Sequence, residues 1–200
     1  RVRDIAAKCR LNLEHLRRFP HAFSGGQRQR ISIARALVCN PRFLVADESV
    51  AALDVSIQAD ILNMLKSLQN DLGLTFLFIS HDLSVVAHTC DMVAVMYLGS
   101  LVEVAPTRNL FTGAMHPYTR ALLSAIPSLD PDDNEGRQLL QGEIPSPTNP
   151  PSGCRFHTRC PSVIDVCRTT APQVEQVNDD HQVVCHRWRE LATVEVAPPA

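Results

Sequence analysis

No apolar run in this 200-residue sequence approaches the roughly 18 to 20 residues needed to cross a bilayer. The first residues, Arg1-Val2-Arg3-Asp4, lack the apolar stretch of a signal peptide. Strong charge of one sign is missing too. The 19 Lys and Arg against 21 Asp and Glu leave a formal charge of −2, which argues against a general attraction to nucleic acid. There is no internal repeat, and no closely spaced C-x2–4-C cysteine pair of the kind zinc prefers. There is also no initiating Met. The chain opens inside a helical pattern, with Val2, Ile5, Ala6 and Cys9 on one face, so an upstream part of the protein is expected. These absences point to a cytosolic chain, and a hydrophobic content of 45% supplies one sizeable core plus an appendage.

What is present is unevenly distributed. Of seven cysteines, Cys9, Cys39 and Cys90 are scattered in apolar or helical surroundings and are expected to be inert, buried small hydrophobes. The other four crowd the last quarter. Six prolines (Pro127, Pro131, Pro145, Pro147, Pro150, Pro151) mark 127–153 as an extended linker. The expected organisation is a helical segment over 1–41, a core over 42–126, that linker, a Cys-rich module over 154–191 and a disordered tail over 192–200.

Within the first two segments, short helices over 2–19 end at Phe19-Pro20, and a longer helix begins after Ser24-Gly25-Gly26 and stops before Asn40-Pro41. The run Arg42-Phe43-Leu44-Val45-Ala46-Asp47-Glu48 predicts a buried parallel strand ending in two acids. A helix over 55–71 has Ile57, Ile61, Leu62, Leu65 and Leu68 at helical spacing and ends at Gly73. A second buried strand, 74–79, delivers Ser80-His81-Asp82 at its tip. Strand, helix, strand with polar residues at both carboxyl ends is the pattern of an α/β parallel sheet, whose ligands bind outside those ends. A hairpin around Tyr97-Leu98-Gly99 and short helices over 107–111 and 118–125 follow.

Two glycines and a serine directly before a helix make an anion site, because the first-turn N–H groups are unpaired and the helix dipole adds partial positive charge. A plain N-cap with a flexible turn gives the same sequence. Asp47 suits a Mg²⁺ shell and Glu48, on the other side of the pleat, suits a general base, although an acidic strand end also simply caps a turn. His81 suits a γ-phosphate contact, or a structural role. Asp54 is a candidate N-cap of the helix that follows it.

The order Phe-Ser-Gly-Gly-Gln-Arg-Gln-Arg (23–30), Phe-Leu-Val-Ala-Asp-Glu (43–48), Ala-Ala-Leu-Asp (51–54) and Ile-Ser-His-Asp (79–82) resembles the signature, Walker B, D-loop and switch-histidine elements of ATP-binding cassette (ABC) ATPases. The segments 113–127, with His116-Pro117-Tyr118, and 142–147 resemble the C-terminal extension of oligopeptide and dipeptide importer ATPases. The implied fold is a partial ABC nucleotide-binding domain, α/β with a helical-subdomain remnant, carrying a small irregular Cys-rich extension.

By that resemblance Ser24, Gly25, Gly26 and Gln27 would meet the γ-phosphate of an ATP held by an opposing subunit. Asp47 would serve Mg²⁺, Glu48 would be the general base, His81 would sense the γ-phosphate and Asp54 would signal across the dimer. The implied partners are a second, homologous or identical ATP-binding subunit, two transmembrane permease subunits and, indirectly, a periplasmic solute-binding protein, with no nucleic acid. The implied place is the cytoplasmic face of a bacterial inner membrane. The cargo is expected to be peptide, with nickel chelates or glutathione as alternatives. Non-transport cassettes such as repair or translation factors would carry coiled-coil insertions or basic surfaces.

Two departures stand out. Ser49 takes the place of the family's usual proline, and Gly-x-x-x-x-Gly-Lys-Ser/Thr, the phosphate-cradling loop, occurs nowhere in the chain. The glutamine loop is missing too. The expectation is a C-terminal fragment or truncated gene product that offers its signature to a partner and holds its own ATP weakly.

Cys154, Cys160, Cys167 and Cys185 form C-x5-C-x6-C-x17-C. Four thiols in a cytosolic module short of apolar residues want a metal or cluster. The open spacing suits a [4Fe–4S] cluster better than zinc, and unligated thiols are the third reading. By the resemblance, importer ATPases with such a tail bind a cluster. His157, His181 and His186 are spare ligands or, more simply, surface residues.

Overall fold

A computed structural model describes residues 1–51, 53–126 and 140–192 of the chain. It forms two compact units, Arg1–Val85 and Val86–Ala200, a division that falls inside the expected 42–126 segment. Residues 127–139 of the expected linker and 193–200 of the expected tail lie outside the described residues. Residues 140–153 contain no helix or strand.

The first unit is built from α1 (Val2–Lys8), two 3-10 turns (Leu13–Arg17 and Pro20–Ala22), α2 (Gly25–Leu37), β1 (Phe43–Asp47), α3 (Val55–Leu72) and β2 (Thr75–Ile79). Its core gathers Ile5 and Cys9 of the α1 end, Ile33, Ala34 and Leu37 of α2, and Ile61, Met64, Leu65 and Leu68 of α3, the helical-period residues of each. Two backbone details make this packing possible. Gly73 closes α3 in the left-handed conformation, at φ 62°. Gly26 lies where α2 meets α3, and a methyl there would sit 2.7 Å from Ile57 Cγ2. Arg30 reaches across α1 and α3, donating to the Cys9 carbonyl and to Asp60 Oδ2 at 3.3 Å.

β1 and β2 pair in parallel, with Asp47 opposite Ile79, as the strand-helix-strand pattern requires. The expected two-sided burial is corrected. Phe43, Val45, Leu77 and Ile79 are exposed, because the two strands bury against helices on one face only. Cys9 is fully buried, as expected, and burial pushes its thiol up to about 11. Cys39, expected inside, is exposed, and Cys90 is half-buried.

After α4 (Leu83–Thr89), the second unit contains β3 (Met92–Tyr97), β4 (Ser100–Pro106), α5 (Thr107–Gly113), α6 (Pro117–Ser124), α7 (Asp165–Thr169), β5 (Glu175–Asn178), β6 (His181–Val183) and α8 (Trp188–Leu191). Leu98 and Gly99, both at positive φ, make the tight turn of the β3–β4 hairpin. The Cys-rich segment contributes strands that the sequence did not announce. β6 pairs antiparallel with β4 and β5 with β6, giving one sheet in the order β3-β4-β6-β5. The module also shares a core, since Phe156 packs with Val93, Val95, Tyr97, Val102, Ala105 and Leu110, and Cys154 and Cys160 lie against them.

The join is made by a buried carboxylate. Glu103 of β4 accepts the Met115 N–H at 2.7 Å, the His116 N–H at 3.0 Å and His181 Nε2–H at 2.8 Å. Burial alone would raise its pKa, yet these donors hold the carboxyl below its ordinary range. His181 is therefore 2% exposed and spent on Glu103, which corrects the expectation of a surface residue or spare ligand.

Gly26→Ala should lower stability by about 1 kcal/mol or more, overpacking against Ile57 outweighing the gain in helix propensity. Gly25→Ala, whose methyl would meet Leu53 at an ordinary 3.7 Å, should stay within about 0.5 kcal/mol of the parent. Urea unfolding followed by circular dichroism separates the two.

Burial also depresses His116, from 6.5 to about 4, against an opposing pull from Glu103. The unfolded ring protonates below 6.5 while the folded ring stays neutral, so stability is complete above pH 6.5 and falls as the pH drops toward 4. The loss over that window should be on the order of 3 kcal/mol. Urea midpoints across the pH range should show a steeper fall for the parent than for His116→Asn.

Candidate functional site

The first unit presents two groups of residues that the sequence singles out. Ser24 caps α2 with a complete capping box: its hydroxyl accepts the Gln27 N–H at 3.3 Å and Gln27 Oε1 accepts the Ser24 N–H at 3.1 Å. Both readings of the turn therefore coexist. The hydroxyl and the Gln27 amide serve the helix, while the Gly25 and Gly26 N–H groups have no acceptor among the described residues. Those two amides, on the positive end of a 13-residue helix, are the donors open to an anion. The two glycines differ in purpose. Gly26 is needed for the approach of α2 to α3, whereas Gly25 lies beside Leu53, next in sequence to Asp54. Asp54 occupies the N-cap position of α3, but its side chain makes no capping hydrogen bond, so its carboxylate is not committed to the helix.

The second group lies at the carboxyl edge of the parallel pair. Asp47 ends β1 level with Ile79, and Glu48 follows with its N–H donated to the Ile79 carbonyl at 2.9 Å. Glu48 adopts φ 44°, a left-handed backbone uncommon outside glycine. Its Oε1 lies 3.2 Å from His81 Nδ1, with both side chains more than half exposed. An ionised carboxylate only accepts, so this contact places the ring proton on Nδ1 and leaves Nε2 free. Asp82 is spent locally, capping α4 through the Ser84 N–H. Ser49, the departure from the family's proline, has its hydroxyl buried with no partner among the described residues. The structure thus brings Asp47, Glu48 and His81 to one edge, open to solvent.

In the second unit Cys154, Cys160, Cys167 and Cys185 line one small pocket together with His116, Phe156, His157, His186 and Arg187. Backbone geometry gathers them. The Cys154 N–H donates to the Cys167 carbonyl at 2.8 Å, an approach open only because Gly153 has no Cβ; one would sit 2.4 Å from that carbonyl oxygen. Nearby backbone N–H groups favour the thiolate, those of Phe156 and His157 at Cys154, of Ser162 at Cys160 and of Arg187 at Cys185, and the His157 N–H is itself donated to the Cys154 carbonyl at 3.0 Å. Burial pushes these three thiols up, Cys185 to about 11, and the neighbouring cysteines add to the effect. No disulfide joins the four. Among the described residues, no group of three or more His, Cys, Asp or Glu is arranged so that it could hold a metal ion. His157 and His186 are hydrogen-bonded to the Cys154 and Thr170 carbonyls, both at 2.9 Å.

Reading the sequence missed His116 and Gly153 at this pocket and Arg30 in the helical core. A His before Pro-Tyr at a helix start, and a Gly directly before the first Cys, were the available signals.

Residues 1–51 match the family model described as ABC transporter, and residues 102–167 match that of the oligopeptide/dipeptide transporter, C-terminal region. A putative peptide import ATP-binding protein of Brucella ovis is 57% identical over 187 residues, covering 94% of this chain and 59% of that protein. The oligopeptide transport ATP-binding protein AppF of Bacillus subtilis is 49% identical over 190 residues, covering 94% and 58%. The chain thus spans less than two thirds of the length of these relatives. Among solved structures, the ADP conformation of MJ1267, an ATP-binding cassette of an ABC transporter, matches with TM-score 0.52 and 29% identity over 62% of this chain and 48% of that one. CbiO1 from Clostridium perfringens matches with TM-score 0.51 and 32% identity over 55% and 43%. Both family models and these relatives agree: the chain is similar to the ATP-binding subunits of ABC transporters, with the oligopeptide/dipeptide transporter C-terminal region matched over 102–167.

Proposed function

We propose that this chain is part of an ATPase subunit that energises import of peptides at the cytoplasmic face of a bacterial inner membrane, working with a second ATP-binding subunit, two permease subunits and an external solute-binding protein. The observation that carries the reading is the convergence of Asp47, Glu48 and His81 at one strand edge, with Glu48 and His81 in direct contact. The names of the relatives supply peptide as the cargo.

In this reading the residues divide the work. The open Gly25 and Gly26 amides, with Ser24 and Gln27 holding the turn, meet the γ-phosphate of an ATP carried by the opposing subunit. Asp47 serves the Mg²⁺ shell through its carboxylate. Glu48 takes the proton of the attacking water, while His81, bonded to Glu48 through Nδ1, turns Nε2 toward the γ-phosphate. The uncommitted carboxylate of Asp54, close to the signature turn, reaches across the dimer. Closure around nucleotide then shifts the permeases between their two states.

Glu48→Gln in the assembled transporter should reduce ATP turnover by about 10²–10⁴-fold, the usual worth of a general base, while nucleotide-dependent association of the subunits persists. Turnover within threefold of the parent would overturn the assignment of Glu48.

We further propose that Cys154, Cys160, Cys167 and Cys185 hold an iron–sulfur cluster. The chemistry of the donor set supports the fit. Four thiols line one pocket, and their open C-x5-C-x6-C-x17-C spacing suits a polynuclear centre better than zinc. Backbone N–H groups near three of the sulfurs favour the thiolate form that burial disfavours. When bound, such a centre supplies electron transfer or a rigid cross-link. Anaerobically purified subunit should contain iron and acid-labile sulfide, both lost in Cys160→Ser. Zinc without iron would overturn the reading.

A further inference from the structure

The chain is close to neutral overall, yet its cations are concentrated at one end. Residues 1–35 contain nine arginines and lysines against two acids, Asp4 and Glu14. The structure gathers several of them around one cavity of about 380 Å³, which lies wholly within the first unit, between α2 and the segment that leads into Ser24. Arg10, Arg18, Arg28 and Arg35 line it together with His15, and among the described residues no Asp or Glu does. Arg10 has a distant partner in Asp60, at 4.0 Å. Arg18, Arg28 and Arg35 make no ion pair among the described residues.

The arrangement follows from α2 having two faces. Ile33, Ala34 and Leu37 enter the core, while Arg28, Ile31 and Arg35, at i, i+3 and i+7, fall on the opposite side and line the cavity. The facing segment is held locally. Asn12 caps the turn Leu13–Arg17 by accepting the Glu14 N–H at 2.9 Å, and His15 meets Phe23 edge-on with ring centroids 6.4 Å apart. Leu11, Phe23 and Ile31 are half-buried and give the cavity apolar walls. Like charges brought to one concavity repel, so folding by itself gains nothing from this placement. Guanidinium forks match phosphate oxygens in pairs, and the volume falls in the range of small-molecule sites. A lone phosphate would leave the apolar walls uncovered and most of the positive charge unbalanced.

We infer that this cavity binds a small organic diphosphate, its phosphate groups held by Arg18, Arg28 and Arg35 and its apolar body against Leu11, Phe23 and Ile31. The site is separate from the anion site at the Gly25 and Gly26 amides. Arg35 stands ten residues along α2 from Gly25, about 15 Å of helical rise, and a guanidinium there does not reach an anion at the first turn. The inference does not depend on the peptide-import reading.

The test is isothermal titration of the 200-residue chain, which contains no phosphate-cradling loop, with pyrophosphate and isopentenyl diphosphate as probes at about 0.15 M salt. Saturable binding at one site is expected for both. The alkyl diphosphate should bind about tenfold more tightly or better, because its body covers apolar wall. Arg18→Ala and Arg35→Ala should each weaken both probes by about tenfold or more. Arg17→Ala removes the same charge from an exposed neighbour that does not line the cavity, and should leave affinity within about twofold of the parent. Ser32→Trp, at an exposed position on the cavity wall, fills the space without changing charge and should abolish binding.

No saturable binding of either probe below about 1 mM overturns the inference. Equal weakening by Arg17→Ala and Arg35→Ala does so too, since that is general charge attraction. Pyrophosphate binding that gains nothing from the alkyl group overturns the organic ligand, and binding only to phosphatidylglycerol vesicles overturns the soluble one. If circular dichroism shows the chain or Ser32→Trp unfolded, the same titration of the full-length subunit and its Arg35→Ala variant decides. Unchanged affinity in that variant overturns the inference.

Discussion

Burying one carboxylate organises the second half of this chain. Glu103 is 1% exposed, and a charge that deep is tolerated only when its oxygens are filled with donors. The donors come from distant parts of the sequence: two backbone amides in the turn before α6 and an imidazole on β6. Satisfying Glu103 therefore fixes where the His116 turn goes and brings β6 against β4. The Cys-rich segment is drawn into the same sheet and core as the hairpin instead of standing as a separate appendage. The orientation of His116 at the cysteine pocket is a downstream result of the same constraint.

In the first half the limiting factor is space. Ser24, Gly25, Gly26 and Gln27 look like one motif with one purpose, but the structure divides them. Ser24 and Gln27 close the helix start and Gly26 admits Ile57, leaving two amides for anything beyond folding. Arg30, four residues further on, is consumed in tying three helices together. A motif that serves both packing and ligand binding is hard to change by either route, which is one physical reason for a signature to be recognisable at all.

The sequence made the local architecture of the first unit legible because its signals are periodic. α3 carries apolar residues at helical spacing and stops at Gly73, and both parallel strands stand where mainly apolar runs end in polar residues. Burial was less legible. Phe43, Val45, Leu77 and Ile79 are apolar yet exposed, since periodicity gives the faces of an element but not what covers them. The strands β5 and β6 were not legible: Glu175–Asn178 and His181–Val183 are short and polar, and they are strands because β4 and Glu103 hold them there. His181 and His116 looked like ordinary polar residues for the same reason. Their significance depends on partners 78 and 13 residues away. The four cysteines were visible by spacing, whereas the glycine that lets two of them share a backbone hydrogen bond was not.

Glu48 is held at φ 44°, where a residue with a β-carbon stands about 1–3 kcal/mol above its relaxed backbone. A glycine or asparagine would sit there more comfortably, so mutational drift toward a more stable fold runs away from the carboxylate. Position 48 therefore works as a gauge of selection. A glutamate persists in that conformation only while something other than folding rewards it, and a population released from that demand would be expected to lose Glu48 before it lost the strand that carries it.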